Sequence, residues 1–128
     1  MFERRPRILL VDDDPLVRAA QAAALRQVGQ VLIATDGADA LALVSWDEDF
    51  DLVISDVDMP RVDGPTLFRL LAKGWPDLAA QLVFVTGSSS AARVDELKRL
   101  GRPVFRKPMP PEDLAALARL WVEARLAS

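Results

Sequence analysis

Short apolar runs recur along the chain, and each one ends at a polar or charged residue. The first run, RILLV at residues 7–11, does not alternate apolar and polar positions. A run of this kind predicts a β-strand that is buried on both faces of a sheet. The same interpretation places five strands at 7–11, 30–34, 51–55, 81–85 and 103–106.

The segments between these runs have the spacing and boundary residues of helices. Asp14 followed by Pro15 is a typical start, because Asp caps a helix and Pro suits its first turn. Gly74 and Pro76 are expected to stop the third helix. The first helix is predicted to bury the stripe Val17, Ala20, Ala24 and Val28 before Gly29. The others are expected at 38–45, from 65, at 91–100 and from 111.

Five strands that alternate with five helices predict an α/β fold. The spacings suit βα units, so we expect a doubly wound (βα)5 parallel sheet with right-handed crossovers. The chain has 128 residues, a length that favours one domain over residues 1–128.

Composition excludes several kinds of chemistry. The chain contains no cysteine and no histidine. Disulfides, thiolate zinc sites, cysteine nucleophiles and histidine bases are therefore excluded, as is a phosphohistidine on this chain. The net charge is −3 with both signs interspersed, which gives no electrostatic footprint for nucleic acid. With no long apolar run and no signal peptide, a cytoplasmic protein without a membrane span is expected.

Polar residues that follow the strands are the candidates for a functional site. Asp12 and Asp13 follow the first strand, Asp56 the third, Thr86 the fourth and Lys107 the fifth. Singly, each has an ordinary explanation as a turn, strand-end or surface residue. Because parallel strands end at one edge of a sheet, we expect all five side chains to converge there.

Three carboxylates at one edge of the sheet are expected to hold either a proton or a cation. At an effective dielectric constant of 20, two carboxylates roughly 5 Å apart repel by about 3 kcal/mol. A site with only oxygen ligands favours Mg²⁺, with Mn²⁺ also possible, and Mg²⁺ commonly binds a phosphate as well. A carboxylate can attack phosphorus to give an aspartyl phosphate. Lys107 and Thr86 would then each contact one phosphoryl oxygen.

Four motifs in this order resemble the response-regulator receiver domain of two-component signalling. They are LLVDDDP at 9–15, DVDMPRVDG at 56–64, FVTG at 84–87 and FRKPM at 105–109. The resemblance covers nearly the whole chain. It implies a flavodoxin-like sheet with the strand order 2-1-3-4-5.

The resemblance also implies a role for each site residue. Asp56 would be the phosphoacceptor, with Thr86 and Lys107 completing the catalytic set. Asp13 and Asp56 would bind Mg²⁺ directly together with the backbone carbonyl of Asp58, and Asp12 would act mainly through a metal-bound water. The peptide before Pro108 would be cis, which directs the lysine into the site.

The partners follow from the same resemblance. The phosphoryl donor would be a histidine kinase or a histidine phosphotransfer protein. The domain would catalyse its own phosphorylation and dephosphorylation, without being an enzyme in the usual sense. An unknown output partner would bind the face formed by 91–100, 103–106 and the last helix. A monomer or a phosphorylation-dependent dimer is expected, either as a free-standing relay domain or as part of a longer protein.

One position departs from the family. Many receivers have Tyr or Phe three residues before the lysine, and that ring turns inward on activation. Val104 stands there in this chain, and Phe105 should face the other side of the strand. Its motifs look more like receivers attached to sensor kinases or acting in relays. Asp58 and Ser88, two residues after the acceptor and the threonine, are expected to tune hydrolysis.

Other interpretations were weighed on the same residues. Asp56 and Asp58 form the DxD of an aspartate-nucleophile phosphatase of the haloacid-dehalogenase type, but that family places the pair after its first strand. An EF-hand loop fails because Pro60 and Arg61 occupy its ligand and glycine positions. A pseudo-receiver, an interaction module that is never phosphorylated, remains an alternative.

Overall fold

A computed structural model describes residues 5–87 and 90–127, and within them five strands form one parallel sheet. The sheet order is β2-β1-β3-β4-β5, and each neighbouring pair is parallel. Both the fold class and the strand order expected from the sequence are confirmed. The strands are β1 Arg7–Val11, β2 Gln30–Ala34, β3 Leu52–Ser55, β4 Leu82–Thr86 and β5 Val104–Arg106.

Helices connect the strands, with one short helix more than expected. The third helix ends at Gly74 as predicted, but Pro76 then begins a separate single turn, since Pro fits the first position of a helix. No helix in the described ranges is long and apolar enough to cross a lipid bilayer. The helices are α1 Pro15–Leu25, α2 Gly37–Trp46, α3 Gly64–Gly74, α4 Pro76–Ala79, α5 Ala91–Leu100 and α6 Pro111–Ala127.

The first helix begins as predicted but buries a different face. The Asp14 carboxylate accepts backbone hydrogen bonds from Leu16 and Val17 at 3.0 and 3.3 Å, which confirms the cap. The predicted stripe is only partly correct, because Val17, Ala24 and Val28 are half-buried and Ala20 is exposed. The buried residues of the helix are Gln21, Ala22 and Leu25. Leu25 is the large apolar residue that reaches the core, and it brings the residues three and four positions earlier onto its face.

Apolar side chains cover both faces of the sheet, as the non-alternating run at 7–11 predicted. On one face Leu9 and Phe84 pack with Leu67 and Leu71 of α3. On the other, buried residues of the sheet pack against α1 and α6 through Ala22, Leu25, Leu114 and Ala118. Burial on both sides fixes the strands, so the residues that follow them are held at one edge.

Candidate functional site

Three carboxylates lie together at the carboxyl edge of the sheet. β1 and β3 are neighbours in the sheet, so Asp12 and Asp13 after β1 lie beside Asp56 after β3. One carboxylate oxygen from each residue lies within 4.8 Å of the other two. Asp12 is 2% exposed and Asp56 9% exposed, whereas Asp13 is exposed. The structure therefore brings together the three acids that the strand ends suggested.

Lys107 is the residue after β5, and its side chain reaches the carboxylate cluster. Its Nζ lies 3.2 Å from Oδ2 of Asp12 and 3.4 Å from Oδ2 of Asp56. The Lys107 backbone N–H donates to the Thr86 carbonyl oxygen at 2.9 Å, which continues the β4–β5 pairing. The Lys107–Pro108 peptide bond is cis. A lysine distant in the sequence is thus one of the groups that touch the carboxylates.

Thr86 is the last residue of β4 and is almost fully buried, with 3% exposure. It belongs to the same edge as Lys107, because the backbone of the two residues is hydrogen bonded. Gly87 lies next to the aliphatic part of the lysine, since a Cβ built there would be 3.9 Å from Lys107 Cβ and Cδ. Ser88, which was expected to tune hydrolysis, lies outside the described residues.

The loop after β3 holds Asp56 through its backbone. The Asp56 N–H donates to the carbonyl of Val11 at 2.8 Å, and Asp56 Oδ1 accepts from the Val57 N–H at 2.8 Å. The loop closes where the Gly64 N–H donates to the Val57 carbonyl at 2.8 Å. A Cβ on Gly64 would lie 2.5 Å from the Asp56 carbonyl oxygen, so this close approach requires glycine.

The electrostatics of the cluster favour a cation. Burial raises the pKa of Asp56 to about 6, although the Lys107 charge and the Val57 N–H act in the opposite direction. Burial also opposes the charge on Lys107, but Asp56 and Asp12 outweigh it and raise the lysine pKa. Three carboxylates beside one ammonium group leave two negative charges when all are ionised. An oxygen-only site with that charge could bind a divalent metal.

Asp58 does not direct its carboxylate into this cluster. Its Oδ1 accepts a hydrogen bond from Nε of Arg93 in α5 at 3.1 Å, and Nη2 of the same arginine lies 3.0 Å away. The same guanidinium lies 2.8 Å from Oδ2 of Asp63, which also caps α3 through the Thr66 N–H. The sequence analysis missed Arg93, because nothing in the local pattern marks an arginine that reaches a loop 30 residues away.

A second arginine, Arg61, holds the other side of this loop and was also missed. It donates to both carboxylate oxygens of Asp36 at 2.7 and 2.8 Å, and its φ of 65° is unusual for a residue with a side chain. Asp36 is buried and also accepts from the Asp39 N–H at the start of α2. The hydrogen bond from Arg61 is the main cause that lowers the Asp36 pKa.

The face expected to bind an output partner has no aromatic ring at position 104. Val104 is 38% exposed. Phe105 packs on the opposite side of the sheet with the cluster that includes Val85 and Leu114. Trp121 of α6 is half-buried, and its indole N–H donates to the side chain of Gln81 at 2.9 Å.

Comparison with known proteins agrees with this geometry. A family model described as "Response regulator receiver domain" matches residues 8–119. The chain is 39% identical over 119 residues to sensor kinase CckA of Brucella abortus, covering 91% of this chain and 12% of that protein. It is 34% identical over 111 residues to response regulator protein FleR of Pseudomonas aeruginosa, covering 87% of this chain and 23% of that protein. The chain thus spans less than a quarter of the length of these relatives.

Solved structures give the same result. A CheY-like response regulator receiver domain protein from Methanospirillum hungatei superposes with a TM-score of 0.83 at 26% identity, covering 95% of this chain and 97% of that one. The receiver domain of a histidine kinase from Syntrophus aciditrophicus has a TM-score of 0.82 at 30% identity, covering 93% and 91%. Neither the phosphatase nor the pseudo-receiver alternative is favoured by these matches. The chain belongs to the response regulator receiver domain family and is a receiver domain of two-component signalling.

Proposed function

We propose that this receiver accepts a phosphoryl group on Asp56 from a phosphohistidine of a histidine kinase or a histidine phosphotransfer protein. The modified domain then changes its binding to an output partner or passes the phosphoryl group on. One observation carries the assignment: Lys107 Nζ lies 3.2 and 3.4 Å from Asp12 and Asp56, inside a cluster of three carboxylates. Residues 1–128 would act as one domain, and the cysteine-free composition fits the cytoplasm.

Mg²⁺ is the cofactor that this donor set favours, with Mn²⁺ as the alternative. Receiver domains use Mg²⁺, and the side chains of Asp12, Asp13 and Asp56 with the backbone carbonyl of Asp58 would hold it. When bound, the ion supplies positive charge beside the phosphoryl oxygens. The residual charge of the acid–lysine cluster supports this choice, since a divalent ion would neutralise it.

The transfer itself requires an ionised Asp56. With a pKa of about 6, Asp56 is mostly ionised at pH 7. One carboxylate oxygen attacks phosphorus, the donor's P–N bond breaks, and its electron pair stays on the imidazole nitrogen. Lys107 would place its ammonium charge against one phosphoryl oxygen, and the Thr86 hydroxyl would donate to another.

An apolar groove beside the site suits a protein donor. It has a volume of about 480 Å³ and lies between α1 and the segment after β5, with Val17, Met109 and the stem of Lys107 among its walls. Leu16 is 83% exposed in the first turn of α1, two residues after Asp14. A partner histidine that docks here would approach the carboxylates from the lysine side.

Intact-protein mass spectrometry with acetyl phosphate tests the proposal without a cognate kinase. The wild type with Mg²⁺ should gain the mass of one phosphoryl group, and the gain should fall to background with EDTA or in Asp56→Asn. Asp77→Asn is the matched control, because Asp77 is an exposed acid of α4 outside the site. Full incorporation in Asp56→Asn would show that Asp56 is not the acceptor.

A further inference from the structure

Helix α5 is weakly anchored in the hydrophobic core. Only Leu97 among its ten residues is buried, and Val94 and Leu100 are half-buried. A helix with so little buried apolar surface has a low local stability. Its position against the rest of the domain therefore depends strongly on polar contacts.

Those contacts converge on Arg93 in the first turn of α5. Its side chain is only 20% exposed, and it pairs with Asp58 at 3.0 Å and Asp63 at 2.8 Å in the loop after β3. It also binds Glu96 one turn later in its own helix. Glu96 in turn pairs with Arg69 of α3 at 3.2 Å. One guanidinium thus joins α5 to the loop that carries Asp56.

The carboxylates around Arg93 depend on its charge. Burial acts to raise the pKa of Asp63, but hydrogen bonds from Thr66 and Arg93 outweigh it, so that this pKa is lowered. The hydrogen bond from Arg93 is the main cause that lowers the pKa of Glu96. Without the guanidinium, the loop acids and Glu96 would repel each other across the gap between the loop and α5.

We propose that Arg93 is the residue through which phosphorylation of Asp56 is transmitted to α5. The inference rests on the proposed function and adds its route of regulation. Val104 provides no ring at the position where many receivers have one, whereas Arg93 gives this chain a direct contact between the loop and α5. Arg93 contacts Asp58, two residues after the acceptor, and lies near the start of the helix that would respond.

The sign of the effect follows from charge. A phosphoryl group carries about −1.5 to −2 charges, and it replaces the single negative charge of the Asp56 carboxylate, so Asp56 becomes more negative by about one charge at most. The added negative charge belongs to the same loop as Asp58 and attracts the Arg93 cation toward that loop. Phosphorylation should therefore fix the first turns of α5 more firmly against the loop. Because such coupling is reciprocal, loss of Arg93 should also weaken the binding of a phosphoryl mimic.

Hydrogen–deuterium exchange with Mg²⁺ and beryllofluoride, a mimic of the phosphoryl group, tests this link. In the wild type, the mimic should slow exchange both in the peptide around Asp56 and in residues 91–100. In Arg93→Gln, exchange in 91–100 should be faster at the outset, and the further slowing by the mimic should be lost. At a saturating concentration of the mimic, protection around Asp56 should persist, since that residue and Lys107 are unchanged.

Arg99→Gln is the matched control for charge and helix. Arg99 lies on the same helix and lines a surface cavity together with Arg93 and Asp58, and no side-chain hydrogen bond or ion pair is found for it within residues 5–87 and 90–127. It should respond like the wild type, and Arg93→Lys should restore part of the response. If Arg93→Gln folds poorly, Asp58→Asn removes one partner of the same network and should also reduce the response in 91–100.

The outcomes separate the two proposals. If Arg93→Gln keeps the full slowing in 91–100, or if Arg99→Gln loses it equally, Arg93 is not the link. A wild type in which 91–100 does not respond, although the Asp56 peptide is protected, also refutes the link and leaves the proposed function intact. If the mimic gives no protection around Asp56 in the wild type, this result contradicts the proposed function and also refutes the role of Arg93.

Discussion

Replacing Asp56 by Asn should stabilise the metal-free domain at neutral pH. In the fold, burial raises the pKa of Asp56 to about 6, compared with about 3.9 for an unfolded chain. Ionised Asp56 therefore costs the folded state up to about 3 kcal/mol above pH 6. Since Lys107 keeps Asp12 at 3.2 Å after the change, we expect a net gain of about 1 to 3 kcal/mol.

The pH dependence of this gain has a definite sign. A carboxyl group with a raised pKa in the fold favours folding most below its unfolded pKa, and that contribution is lost as the pH rises through about 6. The stability difference between Asp56→Asn and the wild type should thus be small near pH 4 and reach its full size by pH 7.5. Mg²⁺ should reduce this stability difference, because the ion should bind and stabilise the wild-type fold more than the Asp56→Asn fold.

Urea unfolding of both proteins in EDTA between pH 4 and 8 measures the difference. Asp77→Asn serves as the control for loss of an exposed charge and should stay near the wild type throughout. If Asp56→Asn is no more stable than the wild type at pH 7.5, or if its gain does not change with pH, then Asp56 is not a buried carboxylate under electrostatic strain.

Further changes test the groups around Asp56. Arg61→Ala should lower the urea midpoint of unfolding, because the buried Asp36 loses its cation; Arg61→Gly should lower the midpoint less, since glycine tolerates the positive φ, and equal losses would contradict this. Gly64→Ala should lower the free energy of unfolding by about 2 kcal/mol or more and weaken Mg²⁺ binding in calorimetry, because the new Cβ would meet the Asp56 carbonyl oxygen. Wild-type stability and affinity in this variant would be evidence against a tight loop. Lys107→Met should slow phosphorylation by acetyl phosphate about 100-fold, by analogy with the loss of one electrostatic contact to a transition state, and an unchanged rate would exclude Lys107 from the reaction.

The sheet and the acid cluster could be predicted from the sequence because few topologies satisfy the pattern. Apolar runs that alternate with helices lead to a parallel sheet, and a parallel sheet brings the residues after its strands to one edge. Asp12, Asp13, Asp56 and Lys107 needed no knowledge of side-chain conformation to be grouped. Their identity as carboxylates and a lysine then limited the chemistry.

Other features depend on details that a local pattern does not contain. Most residues of α1 between Ala19 and Ala24 are alanine, so the pattern could not distinguish its buried face, and Leu25 decided it only once the helix was packed. Pro76 was interpreted as a stop, although proline can equally begin a helical turn. Arg61 and Arg93 are long side chains whose partners are distant in the sequence, and only the folded arrangement of three segments reveals their ion pairs.

Mapping the phosphorylated residue tests the central claim most directly. After incubation with Mg²⁺ and phosphoramidate, a donor with a P–N bond like that of phosphohistidine, borohydride reduction would convert an aspartyl phosphate into homoserine. Peptide mass spectrometry should find homoserine at position 56 and at no other acid, and only when both Mg²⁺ and the donor are present. Homoserine at Asp12 or Asp13 instead, or none at position 56 although phosphate is incorporated, would contradict the account.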